Sequence, residues 1–271
     1  MTPLAVVDDW PVPHAAAAVV RRDGTSTHGD ITRVFRLASI SKVVTAWACL
    51  VAMEEGSVRL DDPVGPPGAT LRHCLAHAAG YGFDTKNTIM GVAKRRVYSN
   101  TGIEKAAEHV AERTGIGFGD YVGEAVFEPL GMASSALRSS PAYGMFSTVA
   151  DMTLFVGELM NPRLVTIETA ANVSTPQFPT LAGVIPGLGS FDPNPWGVGA
   201  EIRGDKQPHW TGTTNSPRTF GHFGGSGTMM WVDPDIATGV VALTDRDFDE
   251  WSAEALVAWR SLSDAIVSST R

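Results

Sequence analysis

The side chains best suited to covalent chemistry begin with a serine and a lysine three positions apart, in Ser39-Ile40-Ser41-Lys42. Residues i and i+3 lie on the same face of a helix, so the Lys42 ammonium can approach the Ser39 hydroxyl. Ser41 is adjacent to Lys42 and points to a different face. Free backbone N–H groups and the helix dipole stabilise negative charge at a helix start, which suits a nucleophile. Taken alone, however, a serine at this position is more often a helix cap.

Two further motifs contain candidate site residues. Tyr98-Ser99-Asn100 precedes a predicted helix, and by itself it is explained by a helix cap beside a packed tyrosine. The glycine-rich run GHFGGSG at 221–227 leads towards a predicted strand. It lacks G-K-[ST] and does not precede a helix, so it does not fit a phosphate-binding loop. Close approach of a substrate to the backbone explains the run better.

In this order, the motifs S-x-x-K, Y-x-N and H-x-G resemble those of the serine β-lactamase and penicillin-binding protein superfamily, especially its class C β-lactamase-like branch of esterases and related hydrolases. The segments FRLASISK, EEGSVRLDDPV, TLRHCLAHAAG, VFEPLGM and MFSTVADMTLF are also similar to that family. The resemblance covers about residues 15–245. It implies an α+β, β-lactamase/transpeptidase-like fold, in which an antiparallel sheet built from both termini is flanked by helices and carries an inserted, mainly helical lobe.

The resemblance also implies roles for the residues of the first two motifs. Ser39 is the expected nucleophile, Lys42 and Tyr98 are its activating pair, and Asn100 is a hydrogen-bonding partner of Lys42 or of the substrate. The unperturbed pKa is ~10 for tyrosine and ~10.4 for lysine. The pKa of one of these two residues must therefore fall by roughly 3 units for it to act as a base near neutrality. The sequence leaves open which of the two takes the serine proton.

The third motif supplies the other implied site residues. His222 occupies the position where many relatives carry the lysine of K-T-G, and Gly224 is expected to support substrate binding. The expected oxyanion hole consists of the backbone N–H groups of Ser39 and Gly225. With a pKa near ~6.5, His222 is expected to hydrogen-bond Tyr98 or a substrate oxygen and to give activity an acidic limb.

Patterning predicts the elements that position these motifs. An apolar run at 15–20 followed by Asp23-Gly24 predicts a strand and a hairpin, and the stretch without Gly or Pro at 39–55 predicts a buried helix. Helices are predicted at 70–78, 101–114, 118–127, 148–160, 164–173 and 251–267, and later strands at 196–202, 228–232 and 238–244. We interpret the chain as one domain, 1–271, with an α/β lobe at about 1–57 plus 190–271 and a helical lobe at about 58–189.

Composition and charge exclude other classes of function. The 271 residues include 29 acidic and 21 basic residues, a net charge of −8, which argues against nucleic acid as a partner. No apolar run is long enough to span a membrane, and the sequence predicts neither a metal site nor a cofactor. Cys49 and Cys74 are expected in the core, and His73 and His77, although four positions apart on one predicted helix face, are expected to be structural. No secretory signal is recognisable, so a cytoplasmic location is expected, whereas the oligomeric state is not predicted.

The leading hypothesis is a serine hydrolase that cleaves a small ester, or less readily an amide, through a Ser39 acyl-enzyme. A β-lactamase or D-Ala-D-Ala carboxypeptidase is the alternative. The missing export signal and the replacement of the K-T-G lysine by His222 disfavour it, because neutral histidine attracts a substrate carboxylate weakly. A second alternative is a catalytically silent binding or regulatory protein on the same scaffold, which the retention of every reactive side chain makes less favourable.

Overall fold

The predicted antiparallel sheet with flanking helices is confirmed by the computed structural model, which describes residues 3–270. In chain order the strands are β1 (Ala15–Arg21), β2 (Gly24–Gly29), β3 (Phe35–Arg36), β4 (Ala136–Leu137), β5 (Met145–Ser147), β6 (Gly183–Ile185), β7 (Gly189–Phe191), β8 (Glu201–Ile202), β9 (Phe220–Gly224), β10 (Thr228–Asp233) and β11 (Thr238–Thr244). The α-helices are α1 (Ser41–Glu54), α2 (Leu71–Leu75), α3 (Asn100–Thr114), α4 (Phe118–Val122), α5 (Glu128–Leu130), α6 (Val149–Met160), α7 (Ile167–Ser174) and α8 (Ser252–Ser268).

The main sheet has six strands in the order β2-β1-β11-β10-β9-β8, so strands from both ends of the chain pair at its centre. β1 pairs with β11 along its whole length, from Ala15 opposite Thr244 to Arg21 opposite Thr238. Successive side chains of a strand point to opposite faces. Alternate residues of β1 therefore enter two separate cores, one containing α1 and α6 and the other containing α8.

Helix α1 lies in the larger core and carries the lysine of the first motif. The first twelve of its fourteen residues are buried, because apolar and small side chains cover every face of the segment. A short 3-10 turn, Ala38–Ile40, precedes it and contains Ser39. The predicted helix at 39–55 is therefore correct, with a tighter first turn.

Several local predictions were wrong. The strand predicted at 196–202 contains only Glu201–Ile202, and the preceding loop-rich region holds the hairpin β6–β7. The helix predicted at 118–127 is present without a break, but its second half, Gly123–Phe127, is a π-helix and not an α-helix. A small sheet, β3-β5-β4, was also missed because its strands have only two or three residues and leave no periodic signal. The glycine-rich run does not merely lead into a strand, since its first four residues belong to β9.

His73 and His77 do not share a helix face, because α2 ends at Leu75 and His77 has a φ of +57°. His73 Nδ1 hydrogen-bonds Thr70 as part of a capping box, and His77 Nδ1 accepts from the backbone N–H of Ser99. Their predicted structural role agrees with these contacts. Within residues 3–270, no group of three or more His, Cys, Asp or Glu side chains could hold a metal ion.

No helix among the described residues is both long and apolar enough to cross a membrane. The lobe boundaries stay a prediction, and residues 1, 2 and 271 of the predicted single domain lie outside the described part.

Candidate active site

The turn that carries Ser39 is held in a strained conformation. Ala38 has a φ of +48°, a left-handed value that costs a residue other than glycine about 1–3 kcal/mol. Contacts from the far end of the chain hold this segment. The Ser226 hydroxyl donates to the Arg36 carbonyl at 2.6 Å, and the Thr228 hydroxyl donates to the Leu37 carbonyl at 3.0 Å. The loop between β9 and β10 thus fixes the backbone that presents Ser39, whose side chain stays partly exposed.

Lys42 contacts the other reactive groups from one turn further along. Its Nζ lies 3.1 Å from Ser39 Oγ, donates to the Ala142 carbonyl at 2.9 Å, and lies 4.8 Å from the centre of the Tyr98 ring. Burial lowers the pKa of Lys42 to about 7, although the charges of Asp84 and Glu104 oppose that change. A substantial fraction of Lys42 is therefore the neutral amine near pH 7.

Tyr98 stays protonated in the same surroundings. Burial raises its pKa well above the ordinary value, and the nearby Ser39 side chain opposes this only in part. His222 Nδ1 lies 2.6 Å from the Phe223 carbonyl, so this nitrogen carries the proton and Nε2 is an acceptor. Tyr98 OH lies 3.3 Å from that Nε2 and donates to it. Of the two candidate bases, the structure favours Lys42.

The expected titration of His222 near pH 6.5 was wrong. Burial, together with the charge of Lys42, lowers the pKa of His222 to about 3, and the hydrogen bond to the Phe223 carbonyl opposes this shift. The sequence could not show this, because desolvation depends on how the ring is enclosed. His222 is neutral throughout the neutral range, whereas Lys42, with a pKa of about 7, changes its charge within it.

Replacing His222 with Asn is expected to lower kcat by about tenfold or less and to leave the acidic limb of the pH–rate profile near pH 7. The physical reason is that Lys42, which titrates there, is retained, while only the acceptor for the Tyr98 hydroxyl is changed. The measurement is the initial rate as a function of pH for the parent and the variant. Thermal unfolding of both proteins is the control for folding. Activity as low as that of Ser39→Ala would instead make His222 the essential base.

The two expected oxyanion donors lie on neighbouring segments. Among residues 3–270, neither the Ser39 N–H nor the Gly225 N–H donates a hydrogen bond. The Gly225 carbonyl accepts from the Phe248 N–H at 2.8 Å, which orients that peptide. Gly224 has a packing role, since a Cβ there would lie 2.4 Å from the Leu37 carbonyl oxygen. Glycine at 224 therefore lets the end of β9 approach the turn that carries Ser39.

Asn100 does not hydrogen-bond Lys42, which was its expected partner within the protein. Its Nδ2 donates to Asp84 Oδ1 at 2.7 Å and not to Lys42. Its buried Oδ1 has no hydrogen-bond partner among the described residues. The cap of α3 is Ser99, whose hydroxyl accepts from the Gly102 N–H at 3.1 Å. Contact of Asn100 with a substrate stays a prediction.

A cavity of about 200 Å³ opens beside Ser39, Tyr98, His222 and Gly225. Sequence reasoning missed several of its walls, which come from distant segments and follow no motif: Phe83, Pro186, Glu201, Phe248 and Asp249. Phe223 and Trp196 also line it. The tip of the β6–β7 hairpin closes one side, where a Cβ on Gly187 would lie 2.8 Å from the Phe248 ring.

Glu201 is a buried charge in this wall. Its carboxylate pairs with Lys206 Nζ at 2.8 Å and His209 Nε2 at 2.9 Å, and it accepts from the Trp210 indole N–H at 2.5 Å. Although burial raises the pKa of Glu201, the charges of Lys206 and His209 and their hydrogen bonds outweigh it, so the pKa lies well below its usual value. Glu201 is therefore ionised and fully paired.

Other residues singled out in the sequence are structural. Ser41 is buried and accepts from the Met145 N–H at 3.1 Å. Cys49 and Cys74 are buried in the core, as predicted, and burial raises the pKa of each thiol to about 12. Trp210 and Trp231 belong to the core beneath α8.

A family model and solved structures match this chain. A family model described as Beta-lactamase matches residues 6–262. The chain belongs to the β-lactamase family. A solved structure of a β-lactamase from Mycobacterium bovis is 49% identical and superimposes with a TM-score of 0.96, with 99% of each chain covered. No curated protein matches the sequence significantly.

Two solved structures of lower identity share the fold. A mutant of simvastatin synthase from Aspergillus terreus is 16% identical and has a TM-score of 0.80, with 98% of this chain and 96% of that chain covered. EstCE1, a hydrolase with promiscuous acyltransferase activity, is 16% identical and has a TM-score of 0.76, with 97% and 96% covered. The family model and the 49% identical structure confirm the superfamily indicated by the motifs.

Proposed function

We propose that this β-lactamase-family protein is a serine hydrolase that cleaves small esters, and amides less readily, through an acyl-enzyme on Ser39. The observation that carries the proposal is the 3.1 Å separation of Lys42 Nζ from Ser39 Oγ, combined with a lysine pKa of about 7. A neutral amine at this distance can accept the serine proton at neutral pH.

Each step then has a group to perform it. Lys42 takes the proton of Ser39 as Oγ attacks the ester carbonyl, and the N–H groups of Ser39 and Gly225 stabilise the oxyanion. Collapse of the intermediate breaks the bond to the alcohol, which leaves with the proton that Lys42 took from Ser39. Water then attacks the acyl-enzyme, and its proton returns to Ser39 by the same groups in reverse.

The volume of the cavity supports a substrate with a small acyl group. Its volume of about 200 Å³ is below the ~300–1,000 Å³ of typical ligand pockets. Aromatic side chains form much of the wall, and Phe223 and Phe248 pack with ring centres 5.4 Å apart. Lengthening the acyl chain should therefore reduce kcat/KM once the cavity is filled.

A β-lactamase activity is the second candidate, because the 49% identical relative from Mycobacterium bovis is described as a β-lactamase. Cephalosporins and D-Ala-D-Ala peptides carry a carboxylate. Neutral His222 supplies a weak field for that group, and the cavity wall carries the carboxylate of Asp249, which has no ion-pair partner among the described residues. This charge favours an uncharged ester over both carboxylate substrates.

Kinetics on p-nitrophenyl esters of graded chain length, a chromogenic cephalosporin and a D-Ala-D-Ala peptide test the proposal. We expect the highest kcat/KM for the shortest esters and a decrease along the series. Cephalosporin turnover faster than that of every ester would establish the second candidate instead. Absence of turnover together with absence of serine labelling by a fluorophosphonate would indicate a silent binding protein.

A further inference from the structure

The Asp, Glu, Lys and Arg side chains that line the cavity in the described part of the chain are all acidic. Two carboxylates, Glu201 and Asp249, line the cavity, whereas no Lys or Arg among residues 3–270 does. The Glu201 charge is compensated by Lys206, as described above. Asp249 is exposed, and it makes no hydrogen bond or ion pair with another residue of the described chain. The uncompensated charge at the cavity is therefore that of Asp249.

Aromatic rings line the same cavity as this carboxylate. Phe248, which precedes Asp249 in the chain, packs against Phe223, and both rings line the cavity. Trp196 and Tyr98 line it as well, with ring centres 5.8 Å apart. Aromatic faces attract cations through the ring quadrupole, and a nearby carboxylate adds to that attraction. This combination is suited to an ammonium group, particularly an alkylated one that sheds water easily.

The catalytic groups do not oppose a cation. His222 is neutral, and Lys42 is neutral in the form that accepts the serine proton. The charge of Asp84, which acts on both Lys42 and Tyr98, is negative as well. An ammonium group beside Ser39 therefore meets little repulsion in the active protonation state.

We propose that the cavity selects esters that carry an ammonium group, held by Asp249 and the aromatic rings that line the same cavity. This inference rests on the proposed esterase function and names its substrate class. The ammonium group belongs either to the leaving alcohol or to the acyl part, and the same wall would recognise it in both. Asp249 is a specificity-determining residue in this proposal.

Two matched pairs of substrates test the inference on the full-length protein. The first pair is acetylthiocholine and its uncharged isostere, in which a tert-butyl group replaces the trimethylammonium group. The second pair is the p-nitrophenyl ester of trimethylammonioacetate and its tert-butyl isostere, which places the charge on the acyl side. The readout is the ratio of kcat/KM for the charged to the uncharged member, measured in the parent protein and in the variants.

We expect Asp249→Asn to lower this ratio about two- to fivefold for one of the pairs, as for an exposed ion pair, and Asp249→Lys to lower it further. Dividing the parent ratio by the variant ratio removes any difference in intrinsic reactivity between the esters. Asp247→Asn is the matched control, because Asp247 is an exposed acid two positions away that does not line the cavity. The control ratio should equal that of the parent, and added salt should reduce the parent ratio.

The pair that responds identifies which side of the ester carries the ammonium group. Hydrolysis of all four esters with ratios unchanged by both Asp249 substitutions would overturn the inference while leaving the esterase function intact. Failure of the parent protein to hydrolyse any of the four would overturn the proposed function itself, and the inference with it.

Discussion

Replacing Ser39 with Ala is expected to lower the kcat for a short-chain ester by about 10⁴-fold or more, and to abolish labelling by a fluorophosphonate. Ser39 provides the only partly exposed hydroxyl within hydrogen-bonding distance of Lys42 among the described residues. Its position in the turn before α1 also places the anionic adduct beside the free N–H groups of Ser39 and Gly225. Mass spectrometry of the labelled, digested protein locates the adduct, and steady-state kinetics give the loss of rate.

Ser41→Ala is the matched control, since it removes the same hydroxyl two residues away. Ser41 accepts from the Met145 N–H in the core, so its loss leaves that donor unpaired and should destabilise the fold by about 1–3 kcal/mol. Labelling and ester hydrolysis should persist in this variant. An adduct mapped to Ser41, or labelling that survives in Ser39→Ala, would show that the nucleophile lies elsewhere.

Replacing Lys42 with Met should reduce kcat by about 10²–10⁴-fold and remove the acidic limb of the pH–rate profile. In the parent, the neutral amine is the active form, so the rate should increase with pH below about 7 and level off above it. The direction of this pH dependence follows from burial, which disfavours the ammonium form and lowers the pKa of Lys42. Rates measured on both sides of pH 7 for parent and variant provide the comparison.

Met is chosen because Lys42 is fully buried and a thioether of similar length fills the same space without a charge. Thermal unfolding should therefore show a folded variant, which separates lost chemistry from lost structure. A parent profile with no change of rate around pH 7, or a variant that keeps the limb, would contradict the assignment of Lys42 as the base.

Much of the fold follows from local sequence. The small apolar residues of β1, the uninterrupted apolar helix α1 and the apolar strands β10 and β11 each lie within one continuous segment, and each was predicted with nearly correct bounds. The short strands of the β6–β7 hairpin were not, because three residues on either side of a Pro-Gly turn leave no periodicity to detect.

The sequence by itself determined the superfamily and the candidate residues Ser39, Lys42, Tyr98 and His222, because each motif is contiguous and the order of the three motifs is specific. Only the tertiary structure decided their protonation states and the walls around them. Desolvation shifts the pKa of Lys42 and of His222, and the hydrogen bond between Tyr98 and His222 joins residues 124 positions apart. Asp249 likewise reaches the cavity from a segment without a motif. Burial and the approach of distant segments arise only when the chain packs, so no local pattern in the sequence contains them.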